Sequence, residues 1–263
     1  LAASKLRWCL EHLPFTTAKH RVRGGPVAAW LIKQLVHEQP DLIDGVNASS
    51  TMLYSINEKN WHPELLNLFE LPDSLLPTIC PSKFNYGTLR LPGCELPLNF
   101  VSSDQAAALF AFGPPSQDNL HINLGTGGSL NRVITERGLH PQEKLLHNLI
   151  LSGQLPMFSA EGTVNGVENA LEWALNICRP DSQNLDEWPA LFPDTPLFMN
   201  MVGGVGSPYW NSLDRSCWID DNEDPKARMV AVMESVIFLI CHNISAMSAL
   251  PKAKQIIIGG GTS

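Results

Sequence analysis

An α/β protein in two parts is the fold class this sequence predicts, on three observations. Beyond residue 117, strand-length runs alternate with helix-like runs. The apolar strand-like runs end on glycines, as in Asn123-Leu124-Gly125 and Ile257-Ile258-Gly259. Where the pattern changes, Gly113-Pro114-Pro115-Ser116 interrupts the chain. Alternating strands and helices form layers that bury one another's apolar faces. A glycine beside two prolines breaks any continuous element. The expected domains are therefore 1–113 and 117–263.

Each element has a local reason. Leu6, Leu10 and Leu13 recur at helical spacing, predicting a helix over Ser4–Leu13 that Pro14 stops. Pro26 suits the first turn of a helix over Val27–His37. Asp44–Ser50 is polar and reads as turns, and Thr51–Ile56 as a strand or irregular link. Pro63 begins a helix over His62–Phe69, and Pro72-Asp73-Ser74 starts a short turn. Tyr86–Phe100 carries Gly87, Pro92, Gly93 and Pro97 and reads as short strands joined by turns. Gln105–Phe112 is an apolar helix. Leu120–Leu124, the turn Gly125–Gly128 and Ser129–Ile134 form a hairpin. Helices follow over Asn165–Cys178 and Pro225–Leu250, with strands over Pro196–Val202 and Gln255–Ile258.

Composition narrows the class. A chain of 263 residues, 44% hydrophobic and 17% charged, can bury a real core. A net charge of -8 disfavours nucleic acid and anionic membrane as partners. The 6 cysteines are scattered without a C-x-x-C pair, which suits reduced thiols in a cytoplasmic protein rather than a disulfide frame. The 8 histidines have no metal-ligand spacing, so no protein-held metal is expected. Glu234, His242 and Asn243 interrupt the apolar stretch Val230–Leu250, so no membrane span is expected there. No basic and apolar leader opens the chain. The first residue is Leu1 and the last are Gly259-Gly260-Gly261-Thr262-Ser263, so the sequence is expected to continue at both ends.

Four motifs bear on chemistry. In Ser102-Ser103-Asp104-Gln105, Asp104 precedes an apolar helix. There it can cap the helix or serve as a carboxylate that takes a proton from an attacking hydroxyl. Asn123-Leu124-Gly125-Thr126-Gly127-Gly128-Ser129 offers bare backbone N–H groups and hydroxyls to phosphate oxygens. It lacks the Gly-Lys-Ser/Thr ending of a Walker loop and the following helix of a dinucleotide fingerprint, and a plain hairpin turn would look the same. The run Ile256-Ile257-Ile258-Gly259-Gly260-Gly261 lets a flat ligand or a phosphate approach the backbone, or simply turns the chain. In Gly203-Gly204-Val205-Gly206-Ser207-Pro208-Tyr209-Trp210, the aromatics either floor a pocket or fill the core.

These segments, in this order, resemble the FGGY carbohydrate kinases, a family that includes glycerol, xylulose, gluconate and sedoheptulose kinases. Lys5-Leu6-Arg7-Trp8, Gly25-Pro26-Val27-Ala28-Ala29-Trp30-Leu31 and Asn47-Ala48-Ser49-Ser50-Thr51-Met52-Leu53 are similar to successive family segments. So are Tyr86-Gly87-Thr88, Asp104-Gln105-Ala106-Ala107-Ala108, Gly125-Thr126-Gly127, Gly204-Val205-Gly206-Ser207-Pro208-Tyr209-Trp210 and Gly260-Gly261. The resemblance implies a ribonuclease H-like (actin-like ATPase) fold of two domains with a cleft between them, incomplete here at both ends. It implies ATP-dependent phosphorylation of a sugar or polyol hydroxyl. Asp104 would be the general base and, with Gln105, would hold the substrate. Gly125, Thr126 and Gly127 would meet the ATP phosphates, and Gly260 and Gly261 the adenosine. Mg²⁺ would bridge the phosphates, and a homodimer is compatible with the likeness.

Departures are also visible. The family's Asp-x-Gly-Thr hairpin does not occur in the sequence, so the chain by itself is expected to be inactive. Glu168 stands where the family often has glycine, and Arg215–Asp224 lacks a usual glycine. Asn47–Leu53 and Asp104-Gln105 lean towards glycerol kinases, and Asn123–Leu130 towards ketose kinases of the sedoheptulose type. The alternatives of a different kind are a non-catalytic, actin-like binding or regulatory protein, and an inactive fragment.

Overall fold

The computed structural model describes residues 2–13, 22–134, 144–180, 194–213, 215–221 and 223–261. Contacts divide the chain into two units. The first is Leu1–Pro114 with Asn148–Phe158, and the second is Pro115–His147 with Ser159–Ser263.

In the first unit, helices α1 (Ala2–His12) and α2 (Val27–Leu35) precede strand β1 (Leu42–Asp44). The expected helix over Val27–His37 stops at Leu35 because Val36 turns to extended backbone. Asp44–Ser50, expected to be turns, holds a helix instead: α3, Gly45–Ser49. The reason is local. Asp44 is its N-cap, and its carboxylate accepts from the N–H groups of Val46 at 2.9 Å and Asn47 at 3.3 Å. Strands β2 (Tyr54–Ser55) and β3 (Asn60–Trp61) form a small antiparallel pair ahead of helix α4 (Pro63–Leu68). Strand β4 (Thr78–Cys80) pairs in parallel with β1, placing Ile43 beside Ile79. Strands β5 (Thr88–Leu91) and β6 (Cys94–Pro97) form a hairpin.

The last element of this unit before its boundary is helix α5 (Asp104–Ala108). It is shorter than the expected Gln105–Phe112. Beyond Ala108 the chain continues in i+3 bonds, Phe110 to Ala107, Ala111 to Ala108 and Gly113 to Phe110, which tighten it out of the α form.

Two clusters fill this unit. Ala3, Leu53, Leu66, Leu71, Leu75 and Leu76 form one, and Ile32, Val36, Cys80 and Tyr86 the other. A polar clip ties in the 148–158 segment. Asp44 is fully buried and also accepts from Asn47 Nδ2 at 2.6 Å and Ser82 Oγ at 3.3 Å. Ser82 Oγ lies 3.0 Å from Ser152 Oγ, which in turn accepts from the Gly45 N–H at 3.1 Å. Burial holds the Asp44 carboxyl above the ordinary aspartate range, against these hydrogen bonds.

The second unit is built on a sheet. Its strands are β7 (Asn119–Leu124), β8 (Gly128–Ile134), β10 (Met157–Val164, mostly in this unit) and β13 (Gln255–Gly259), in the order β13-β7-β8-β10, whereas β9 (Leu146–Leu151) falls mostly in the Asn148–Phe158 segment of the first unit. β7 and β8 form the expected hairpin, Leu124 opposite Gly128. β13 runs parallel to β7, with Gly259 beside Asn123. β9 and β10 are not among the expected elements, although Phe158, Ala160, Gly162 and Val164 alternate with Ser159, Glu161 and Thr163. That alternation is a strand signal.

Helix α6 (Glu168–Cys178) and the 22-residue helix α7 (Pro225–Ala246) pack on the sheet. Leu120, Ile122, Leu130 and Val164 meet Val236 and Ile240 of α7. Ala170 and Ala174 of α6 meet Met229, Val230 and Val232, and the small alanines let the two helices approach closely. Helix α7 has the length and apolar composition to cross a membrane, and 44% of that stretch is buried inside the protein. Strands β11 (Leu197–Met199) and β12 (Cys217–Ile219) pair antiparallel. There Phe198, Trp218 and Trp173 stack with ring centroids 5.0–5.6 Å apart.

Candidate functional site

The three glycine segments of the second unit converge at one end of its sheet. Because β13 runs parallel to β7, their final residues emerge side by side, so Gly259-Gly260-Gly261 lies beside the turn that follows Leu124. The approach is close. A methyl group added at Gly260 would fall on the Leu124 carbonyl, 2.6 Å from its carbon, and the backbone there has φ +115. Only glycine meets both demands.

The turn itself is held from below. The Gly125 N–H bonds the Gly127 carbonyl at 2.9 Å. The carbonyls of Gly125 and Thr126 accept from the N–H groups of Glu168 at 3.2 Å and Asn169 at 3.4 Å. Helix α6 has no side-chain N-cap, so the turn satisfies its first free donors. Gly127 lies over the end of β10, where a methyl group would stand 3.1 Å from the Val164 carbonyl. On the other side of that strand end, Asn165 Nδ2 donates to the Gly203 carbonyl at 3.1 Å. A methyl at Gly206 would press on Thr163, 2.8 Å from its carbonyl carbon.

What the turn presents outward is different. Thr126 and Gly127 are exposed, and their N–H groups meet no acceptor among the described residues. A methyl group at Gly259 or Gly261 would meet nothing within 4 Å, and at Gly125 only the Gly127 carbonyl at 3.9 Å. Unpaired N–H donors and a hydroxyl beside open space suit phosphate oxygens, and glycines open to space suit a flat ring. Among the described residues, no group of three or more His, Cys, Asp or Glu could hold a metal ion.

Asp104 and Gln105 belong to the first unit. The capping role open to Asp104 falls to Ser103, whose Oγ accepts from the Ala106 N–H at 3.3 Å. Asp104 is instead the first residue of α5, exposed, and among the described residues its carboxylate accepts only from its neighbour Gln105 N–H at 2.8 Å. Two residues earlier, the buried Ser102 Oγ has no partner among the described residues. Sequence reasoning passes over Ser102 as a site residue. A hydroxyl beside a candidate carboxylate is the available signal.

Tyr209 and Trp210 do not fill the core, being 51% and 46% exposed. Tyr209 Oη lies 3.0 Å from His242 Nδ1, on the rim of a groove of about 420 Å³ that Met199, Val205 and Phe238 also line.

The chain is similar to several known proteins. The description "FGGY family of carbohydrate kinases, N-terminal domain" matches residues 1–110. Glycerol kinase of Trichlorobacter lovleyi is 29% identical over 100% of this chain and 56% of its own length. Glycerol kinase 2 of Clostridium tetani is 31% identical over 94% of this chain and 52% of its own. Among solved structures, a xylulose kinase from Brucella ovis superposes with a TM-score of 0.82 at 21% identity, over 99% of this chain and 56% of that one. Plasmodium falciparum glycerol kinase with ADP superposes with a TM-score of 0.84 at 20% identity, over 98% and 54%. The fold is that of the actin-like ATPase kinases, present in part. The chain spans about half the length of the relatives it matches.

Proposed function

We propose that this chain, whose residues 1–110 match the N-terminal domain of the FGGY family of carbohydrate kinases, carries the phosphoryl-transfer machinery of an ATP-dependent sugar or polyol kinase. The observation that carries the reading is the Gly125–Gly127 turn, whose exposed Thr126 and Gly127 have N–H groups unpaired among the described residues, beside the open glycines Gly259 and Gly261. The Thr126 and Gly127 N–H groups and the Thr126 hydroxyl bind phosphate oxygens. Gly260 holds the end of β13 against Leu124, and Gly261 leaves room for the adenosine. The ADP named for the P. falciparum relative supports an adenine nucleotide. Mg²⁺ carried on the nucleotide supplies charge neutralisation of the phosphates.

In this reading Asp104 is the general base. Its carboxylate is free of a capping duty, so it can accept the proton of the substrate hydroxyl as that oxygen attacks the terminal phosphorus. Gln105 orients the hydroxyl. Phosphoryl transfer is mostly positioning and charge neutralisation, and this small set of groups is chemically sufficient for the share assigned to it. The acceptor is a small sugar or polyol.

The test is an ATP-coupled screen of the intact protein against glycerol, pentuloses, heptuloses and sugar acids, repeated with Asp104→Asn. One acceptor should turn over, and the variant should lose about 10²–10⁴-fold in kcat while still binding that acceptor. Near-normal turnover by the variant would remove Asp104 from the mechanism.

A further inference from the structure

We infer that Glu168 makes nucleotide binding by this protein dependent on a divalent cation. The inference rests on the nucleotide reading of the Gly125–Gly127 turn and deepens it. Glu168 is the first residue of α6, and its N–H holds the Gly125 carbonyl at 3.2 Å. That bond fixes the base of the side chain directly behind the turn. The carboxylate reaches forward, with Oε2 accepting from Thr126 Oγ1 at 3.5 Å. The side chain is exposed, and no described lysine, arginine or histidine pairs with it.

The consequence is electrostatic. The donors that would receive a phosphate are backbone N–H groups and one hydroxyl, all uncharged. Glu168 brings a negative charge to the turn and already accepts from that hydroxyl. A bare polyphosphate therefore meets a carboxylate that no described lysine, arginine or histidine pairs with, and like charges at this range repel. It must also displace the Thr126 hydroxyl from Glu168. A divalent cation on the phosphates removes the first cost and turns the carboxylate into an attractive neighbour for the cation, directly or through its water. A glycine at this position would remove that negative charge from the turn. Glu168 is thus a specificity-determining residue that favours the metal complex of the nucleotide over the free nucleotide.

The experiment is calorimetric titration of ADP into the intact protein, with EDTA and with excess Mg²⁺, for the natural sequence, Glu168→Gln, Glu168→Ala and Thr126→Val. With Glu168 present, metal-free ADP should bind at least about tenfold more weakly than its Mg²⁺ complex, and Glu168→Gln should recover about fivefold or more of that gap. The recovery should come from the metal-free arm, should shrink at high salt, and should recur in Glu168→Ala. Should Glu168→Gln shift both arms equally, or neither, while Thr126→Val weakens both, the nucleotide reading would stand and the role of Glu168 would be refuted. An absence of ADP binding in every arm would refute both.

Discussion

Replacing Gly260 by alanine separates the fold of the second unit from its ligand chemistry. The new methyl would fall on the Leu124 carbonyl, 2.6 Å from its carbon and 2.7 Å from the Leu124 nitrogen, whereas ordinary contact begins at 3.4 Å. Both obstacles are backbone, so no side chain can swing aside. The end of β13 must retreat from β7 by more than an ångström, which strains the pairing of Gly259 with Asn123. The backbone at φ +115 adds a dihedral cost of about 1–3 kcal/mol, and overpacking a further 1–3 kcal/mol or so. Roughly 4 kcal/mol in all is a large part of a domain stability of about 5–15 kcal/mol, and should lower the Tm of the intact protein by roughly 10 °C. Gly261→Ala is the contrast, because nothing lies within 4 Å of its added methyl. Its stability should stay within about 0.5 kcal/mol of the natural protein, while ADP affinity falls by roughly tenfold as the methyl enters the ligand's space. Thermal unfolding by circular dichroism and ADP titration read the two effects. A Gly260→Ala protein of unchanged Tm, or a Gly261→Ala protein of unchanged ADP affinity, would refute the geometry argued for this end of the sheet.

Further outcomes follow from other sites. Thr126→Val removes a hydroxyl at nearly constant shape, so nucleotide affinity should fall by about five- to tenfold and acceptor affinity should hold, as competition titrations would show. Asp44→Asn leaves one accepting oxygen where two accept four hydrogen bonds, and should cost roughly 2–4 kcal/mol in urea unfolding. Because the Asp44 carboxyl is raised in the fold, its ionisation opposes folding. Its contribution is most favourable below the ordinary value of 3.8 and declines as pH rises through the raised native value, so the Asp44→Asn deficit should widen on acidification. Burial holds His121 neutral and lowers its pKa, so the unfolded chain binds more protons. Stability should therefore fall as pH drops below the ordinary histidine value of 6.5, and His121→Gln should flatten that slope in a pH series of unfolding curves.

Signals confined to a few neighbouring residues are legible in the amino-acid sequence alone. Pro26 and Pro63 start their helices, Gly125–Gly128 turns a hairpin, and Gly259–Gly261 ends a strand, because each depends on backbone dihedrals that the local residues impose. The ordered run of motifs marks the family for the same reason, since each motif is a short stretch with its own chemistry. The helix at Gly45–Ser49 escapes because its polar residues suit turns equally well, and only the buried Asp44 carboxylate decides between them. Whether Asp104 caps its helix is open in the sequence, and the neighbouring Ser103 decides it by a hydrogen bond of 3.3 Å. The meeting of Gly260 with Leu124 and of Glu168 with Thr126 could come only from the tertiary structure. Parallel pairing of β13 with β7 joins opposite ends of the second unit, and pairing between distant strands leaves no mark on the residues close to either one.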